Sequence, residues 1–86
     1  MTESRQTRLK RLRIRSWRRG TREMDLILGP FADGPLAEFD GPGLDAYEAL
    51  LEETDPDLYA WVSGAVPPAD FHRRTIDRIR AFHRIG

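Results

Sequence analysis

The stretch Thr21-Arg22-Glu23-Met24-Asp25-Leu26-Ile27-Leu28-Gly29-Pro30-Phe31 places Met24, Ile27, Leu28 and Phe31 at i, i+3, i+4 and i+7. On a helix these four side chains form one stripe, and such a stripe faces a core. Thr21 stands where an N-cap is expected, because its hydroxyl can accept from an N–H with no partner inside the helix. Gly29-Pro30 is expected to kink or split the helix, since proline lacks the N–H and its ring crowds the preceding turn.

The same period extends in both directions. Upstream, a helix is predicted from Thr7 to Trp17, with Leu9, Leu12, Ile14 and Trp17 set among arginines. Residues 1–6 read as a flexible tail. Downstream, Gly34-Pro35 and Gly41-Pro42-Gly43 read as loops. A third helix is predicted from Leu44 to Glu53, with Leu44, Tyr47, Leu50 and Leu51 inward. Asp55-Pro56 reads as an N-cap followed by proline at the first helical position. Leu58, Trp61, Val62 and Ala65 make that fourth stripe, which is expected to stop near Gly64. Pro67-Pro68 opens a fifth helix, with Asp70 in its first turn and Phe71, Ile76, Ile79, Phe82 and Ile85 as apolar contacts. No strand-like alternation competes, and short connections make consecutive helices neighbours. The expected fold is all-α, a small five-helix bundle formed as a single domain over residues 1–86.

The chain has 86 residues, 40% hydrophobic and 33% charged, a composition suited to a small folded domain rather than a disordered one. Its net charge of zero conceals a division. Residues 1–24 hold nine basic and two acidic side chains, residues 25–70 eleven acidic and no Lys or Arg, and residues 71–86 five basic and one acidic. Either the basic ends pack against the acidic middle, or they present an electropositive face to an acidic partner. No apolar run approaches the ~18 residues of a membrane span. The arginine-rich, acid-poor beginning has the composition of a mitochondrial transit peptide. It runs directly into the most distinctive motif, so it reads as part of the domain, and the protein reads as cytoplasmic.

Chemistry is largely excluded. There is no cysteine, hence no disulfide, thiolate nucleophile or cysteine-based zinc site. The two histidines, His72 and His83, would lie roughly 16 Å apart along one helix and cannot share a metal. No HExxH, GxSxG, Walker or GxGxxG pattern occurs. The acidic pairs Glu52/Glu53 and Asp55/Asp57 suit a helix end followed by a helix start, not acid–base catalysis. The basic first helix, with Arg5, Arg8, Lys10, Arg11, Arg13, Arg15, Arg18 and Arg19, is dense enough to meet phosphates. An acidic middle and the lack of a stacking platform weigh against nucleic acid. Small proteins with a charged terminal helix also neutralise partner proteins, which is a further alternative.

Arg19-Gly20-Thr21-Arg22-Glu23-Met24-Asp25 is the most informative segment. Arg19 and Glu23 share a face if helix continues through Gly20, whose missing side chain lets another backbone approach. A helix corner with a surface ion pair and a docking site are both consistent with it.

Arg19-Gly20-x-x-Glu23 followed by Met24-Asp25 and Pro30-Phe31 resembles the RGxxE signature of the FAD assembly factor family. That family includes SdhE of bacteria and succinate dehydrogenase assembly factor 2 of mitochondria. Leu50-Leu51-Glu52, then Asp55-Pro56-Asp57-Leu58-Tyr59-x-Trp61, and Pro68-Ala69-Asp70 match further family blocks, so the resemblance covers roughly residues 12–80. It implies a five-helix bundle that binds the flavoprotein subunit of succinate dehydrogenase, and in some bacteria that of fumarate reductase. Such a factor promotes covalent attachment of FAD to a histidine of the partner. It implies no catalysis by the chain itself, no catalytic or metal-binding residue and no tightly bound cofactor. Carried over, Arg19, Gly20 and Glu23 fall on the partner-contact motif, with Arg22 and Asp25 as neighbours. Asp55, Pro56, Leu58 and Trp61 are expected to be cap and core.

Overall fold

The computed structural model describes residues 3–85. It contains α1 (Arg5–Trp17), α2 (Arg22–Asp33), α3 (Gly41–Leu50), α4 (Asp55–Ser63) and α5 (Arg73–Phe82), with short 3-10 turns at Pro35–Glu38 and Asp70–His72. The expected all-α, five-helix architecture is the one observed, and no strand occurs among the described residues. None of these helices is long and apolar enough to cross a membrane.

Helix boundaries follow local chemistry, and several differ from the sequence prediction. Ser4 caps α1 by accepting from the Thr7 N–H at 3.1 Å, and Glu3 lies 2.9 Å from Arg11. The tail expected over residues 1–6 is therefore corrected for residues 3–6, while residues 1 and 2 lie outside the described residues. α2 runs through Pro30 instead of breaking there. The proline forfeits one helical bond, the donor to the Leu26 carbonyl, and the helix continues for three residues beyond it. α3 begins at Gly41, earlier than Leu44, because Asp40 accepts from the Gly43 N–H at 2.8 Å and Pro42 suits the first turn. The supposed Gly-Pro-Gly linker is thus a helix start. α4 is capped by Thr54, one residue before the expected Asp55, and ends at Gly64 with φ +85°.

The core is built from part of each predicted stripe plus a contribution the sequence did not disclose, while Ile14, Trp17, Ala65, Phe82 and Ile85, expected as apolar contacts, are exposed. Leu12 of α1, Met24, Leu28 and Phe31 of α2, Leu44, Tyr47 and Leu50 of α3, Leu58 and Val62 of α4, and Ile76 and Ile79 of α5 are all buried. Leu36 and Phe39 join them from the segment read as loop. Phe31 stacks on Tyr47 with ring centroids 5.8 Å apart and meets Phe39 edge-on at 5.7 Å. Ser16 occupies the inner face of α1 and shares a 2.6 Å hydrogen bond with the Tyr47 hydroxyl. Burial pushes the Tyr47 hydroxyl up to about 12, although the Ser16 bond acts in the opposite sense.

On the last helix the prediction is reversed at its start. Phe71 is 68% exposed and His72 is buried in its place. The 3-10 turn rotates Asp70–His72 off the register of α5, so the two histidines do not lie along one helix as expected. The His72 ring packs near Trp61 and its Nε2 lies 2.7 Å from Glu53.

The charge division is resolved inside the fold chiefly at its N-terminal end. Arg8 pairs with Asp45 and Glu48, Arg11 with Glu48 and Glu3, and Arg15 with Glu52. α1 is therefore laid along the acidic face of α3, as the internal-neutralisation reading requires. The Arg11 hydrogen bond, chiefly, holds the Glu48 carboxyl below its ordinary value.

Candidate partner-docking site

The chain turns between α1 and α2 at Gly20, whose φ is +98°. A residue with a Cβ adopts that conformation only with strain, so glycine is what allows so tight a corner. An added Cβ at Gly20 would meet no atom within 4 Å. The fold therefore uses its backbone freedom, while the space its missing side chain leaves open faces solvent.

The residues on either side of this turn point in opposite directions. The Arg19 side chain is 12% exposed. Its guanidinium donates to Asp55 Oδ1 at 2.9 Å, to the Leu51 carbonyl at 2.5 Å and to the Glu53 carbonyl at 2.7 Å. Its own N–H donates to Asp25 Oδ1 at 2.7 Å. These bonds tie the corner to the α3–α4 connection and meet carbonyls at the end of α3 that have no helical partner. Glu23 and Arg22 lie on the outer side of the first turn of α2, exposed and without a hydrogen-bond partner among the described residues.

The five residues singled out from the sequence thus gather at one corner but split into two groups. Arg19 and Asp25 face inward, and Gly20, Arg22 and Glu23 face outward. Arg19 and Glu23 do not share a helical face as expected, because the left-handed turn at Gly20 intervenes. Asp55, expected as an N-cap, instead takes the Arg19 guanidinium and accepts from the Thr21 hydroxyl at 3.2 Å. Thr21 has the N-cap position of α2 but spends its hydroxyl on that bond, not on its own helix.

Beside the outward residues runs a shallow groove of about 410 Å³ lined by Thr21, Glu23, Met24, Asp55, Pro56 and Tyr59. It joins the two sequence blocks that are most distinctive, the Arg-Gly corner and the Asp-Pro-Asp segment. Pro56 and Tyr59 were not placed at the corner by the sequence reading. The signal for Tyr59 was available: it follows Leu58 and so lies off the buried stripe of α4, as an aromatic with half its surface exposed. The groove has an apolar floor, an unpaired carboxylate on one lip and an unpaired arginine nearby. Such a surface suits recognition of another protein better than bond-making chemistry. Among the described residues, no group of three His, Cys, Asp or Glu is placed to hold a metal.

Comparison with known proteins covers most of the chain. The family model described as flavinator of succinate dehydrogenase matches residues 10–83. Mitochondrial succinate dehydrogenase assembly factor 2 of Meyerozyma guilliermondii is 41% identical over 61 residues, covering 71% of this chain and 45% of that protein. Its counterpart in Schizosaccharomyces pombe is 39% identical over 62 residues, covering 72% of this chain and 45% of the relative. That of Mycosarcoma maydis is 36% identical over 66 residues, covering 77% of this chain and 28% of the relative. The matched region thus spans less than half the length of these relatives.

Proposed function

The chain belongs to the flavinator of succinate dehydrogenase family, and from that premise we propose that it is an assembly factor acting on the flavoprotein subunit of succinate dehydrogenase. In this reading it binds that subunit and promotes covalent attachment of FAD to a histidine of the partner. The chain is a chaperone and not an enzyme: it contributes a docking surface, and the bond-forming groups belong to the client. The flavoprotein of fumarate reductase, which offers related chemistry, is a second client for the same surface.

The observation that carries this reading is the two-sided corner. Arg19 fixes it from within, and Gly20, Arg22 and Glu23 are left outward beside an apolar groove. A partner backbone can approach Gly20 closely, while Glu23 and Arg22 supply charge-assisted hydrogen bonds that fix its register. Arg19 and Asp25 act as positioning residues in this scheme. The pairing of the α1 arginines with α3 carboxylates weakens the alternative of a nucleic-acid-binding helix, since those cations are already neutralised. We place the protein in the cytoplasm with its client, whereas the relatives named above are mitochondrial by name.

The test is covalent flavin in the client. With the gene deleted, in-gel flavin fluorescence at the flavoprotein band of a denaturing gel is expected to fall. It should return with the wild-type chain and not with Gly20→Arg. An undiminished band after deletion would contradict the assembly role.

A further inference from the structure

A second cleft lies away from the Gly20 corner, between α5 and the segment that leads from the first 3-10 turn into α3. It has a volume of about 410 Å³, within the ~300–1,000 Å³ range of small-molecule sites. Arg74 and Arg78 line it, one helical turn apart, so their side chains rise from the same face of α5. Neither has a carboxylate partner within 4.0 Å among the described residues, in contrast to the arginines of α1. Arg78 is nonetheless held in place: its guanidinium carbon sits 3.6 Å from the centroid of the Phe39 ring. That contact fixes the plane of the group while leaving its N–H donors unused.

Thr75 stands between the two arginines in sequence and lines the same cleft. It is 4% exposed, and its hydroxyl makes no hydrogen bond among the described residues. That hydroxyl is not sealed from solvent, the buried side-chain polar atom without a partner among the described residues being His72 Nδ1, so it is a free donor at the wall of the cleft. Phe71, 68% exposed, and Pro42 supply apolar walls. The two carboxylates at the cleft, Glu38 and Asp40, make no ion pair within 4.0 Å among the described residues, and Asp40 accepts from the Gly43 N–H at the start of α3.

We infer that this cleft is a binding site for a small organic oxyanion, a phosphate or carboxylate carried on an apolar or aromatic body. The oxyanion accepts from the guanidinium groups of Arg74 and Arg78 and from the Thr75 hydroxyl, and the body packs on Phe71. Guanidinium forks match both oxyanions, and the fixed orientation of Arg78 lowers the ordering cost of binding. The site is separate from the Gly20 corner and does not depend on the assembly reading.

The experiment is an amide NMR titration of the full chain with phenyl phosphate, benzoate and inorganic phosphate as probes. Saturable shifts are expected at residues 38–43 and 71–78, with phenyl phosphate or benzoate binding more tightly than inorganic phosphate. Whichever of the two aromatic probes binds more tightly identifies the head group. Thr75→Val preserves the buried shape and should weaken binding by about tenfold, as should Arg74→Gln. Arg73→Gln should leave binding unchanged, because Arg73 faces Asp70 at 2.9 Å instead of the cleft. Absence of saturable shifts with every probe would overturn the inference. So would wild-type affinity in both Thr75→Val and Arg74→Gln, or shifts that follow the α1 arginines instead. Inorganic phosphate binding as tightly as phenyl phosphate would remove the apolar body from the assignment.

Discussion

Gly20 precedes α2 and Gly29 lies within it, and an added methyl group separates their roles. At Gly29 a Cβ would overlap the Trp17 ring, which lies flat against the α2 backbone where α1 crosses it. At Gly20 the same Cβ would meet nothing within 4 Å. Gly29 is required by packing inside the fold. Gly20 is required by its own φ and, in the proposed function, by what comes from outside. The same division runs through the charged residues next to Gly20, since Arg19 is engaged by Asp55 and two carbonyls while Glu23 has no partner among the described residues. Residues that are adjacent in one short motif can therefore be separated by whether their loss is felt in stability or in binding.

The largest effect on stability is expected on the inward side. Arg19→Ala should cost about 3 kcal/mol by urea denaturation, because it strands a half-buried Asp55 and two carbonyls. A loss below about 1 kcal/mol would mean that the corner holds without its staple. Gly29→Ala should follow with about 1–3 kcal/mol, the usual penalty for forcing a group into a filled contact. Its signature should be a change in Trp17 fluorescence, since the indole must move.

Tyr47 gives a pH-dependent comparison within the core. Its folded value of about 12 lies above the ordinary 10, so the associated stability is fully present below pH 10. That stability, on the order of 2–3 kcal/mol, is lost as pH rises through about 12. Tyr47→Phe should abolish this alkaline loss while costing about 1 kcal/mol at neutral pH through the Ser16 bond. The smallest effect belongs to the surface pairing of α1 with α3. Glu48 is held below its ordinary value, so its contribution is present above the unfolded pKa and is lost as pH falls through the folded one. Glu48→Gln should cost under ~1 kcal/mol at neutral pH and flatten the acid limb of the stability profile.

How far the sequence disclosed this structure depends on the range of the forces involved. The stripe of Met24, Leu28 and Phe31, the stop at Gly64 and the five-helix count are set within a few turns of chain, and periodicity revealed them. Leu36 and Phe39 were missed because a 3-10 turn is too short to show a period, and Gly41-Pro42-Gly43 looks like a loop until Asp40 is recognised as a cap. Phe71 and His72 exchanged places for the same reason, as one short turn before α5 shifts the register. At the corner, Arg19, Gly20, Arg22, Glu23 and Asp25 lie within seven residues of chain, so the sequence alone keeps them near one another. It could not tell which way each pointed. The partners of Arg19 are Leu51, Glu53 and Asp55, and only the packed bundle brings that connection to the corner. Tyr59 reaches the groove through the same long-range packing.

The central claim is that the outward half of the corner binds the client while the inward half holds the fold. The most direct measurement is the affinity of Gly20→Arg and Glu23→Ala for the purified succinate dehydrogenase flavoprotein subunit, taken with the urea stability of each variant. The account predicts a stability loss of about 1–2 kcal/mol or less for both, and affinity at least about tenfold weaker than wild type. Wild-type affinity in a folded Gly20→Arg protein would contradict it, and would move the docking surface away from this corner.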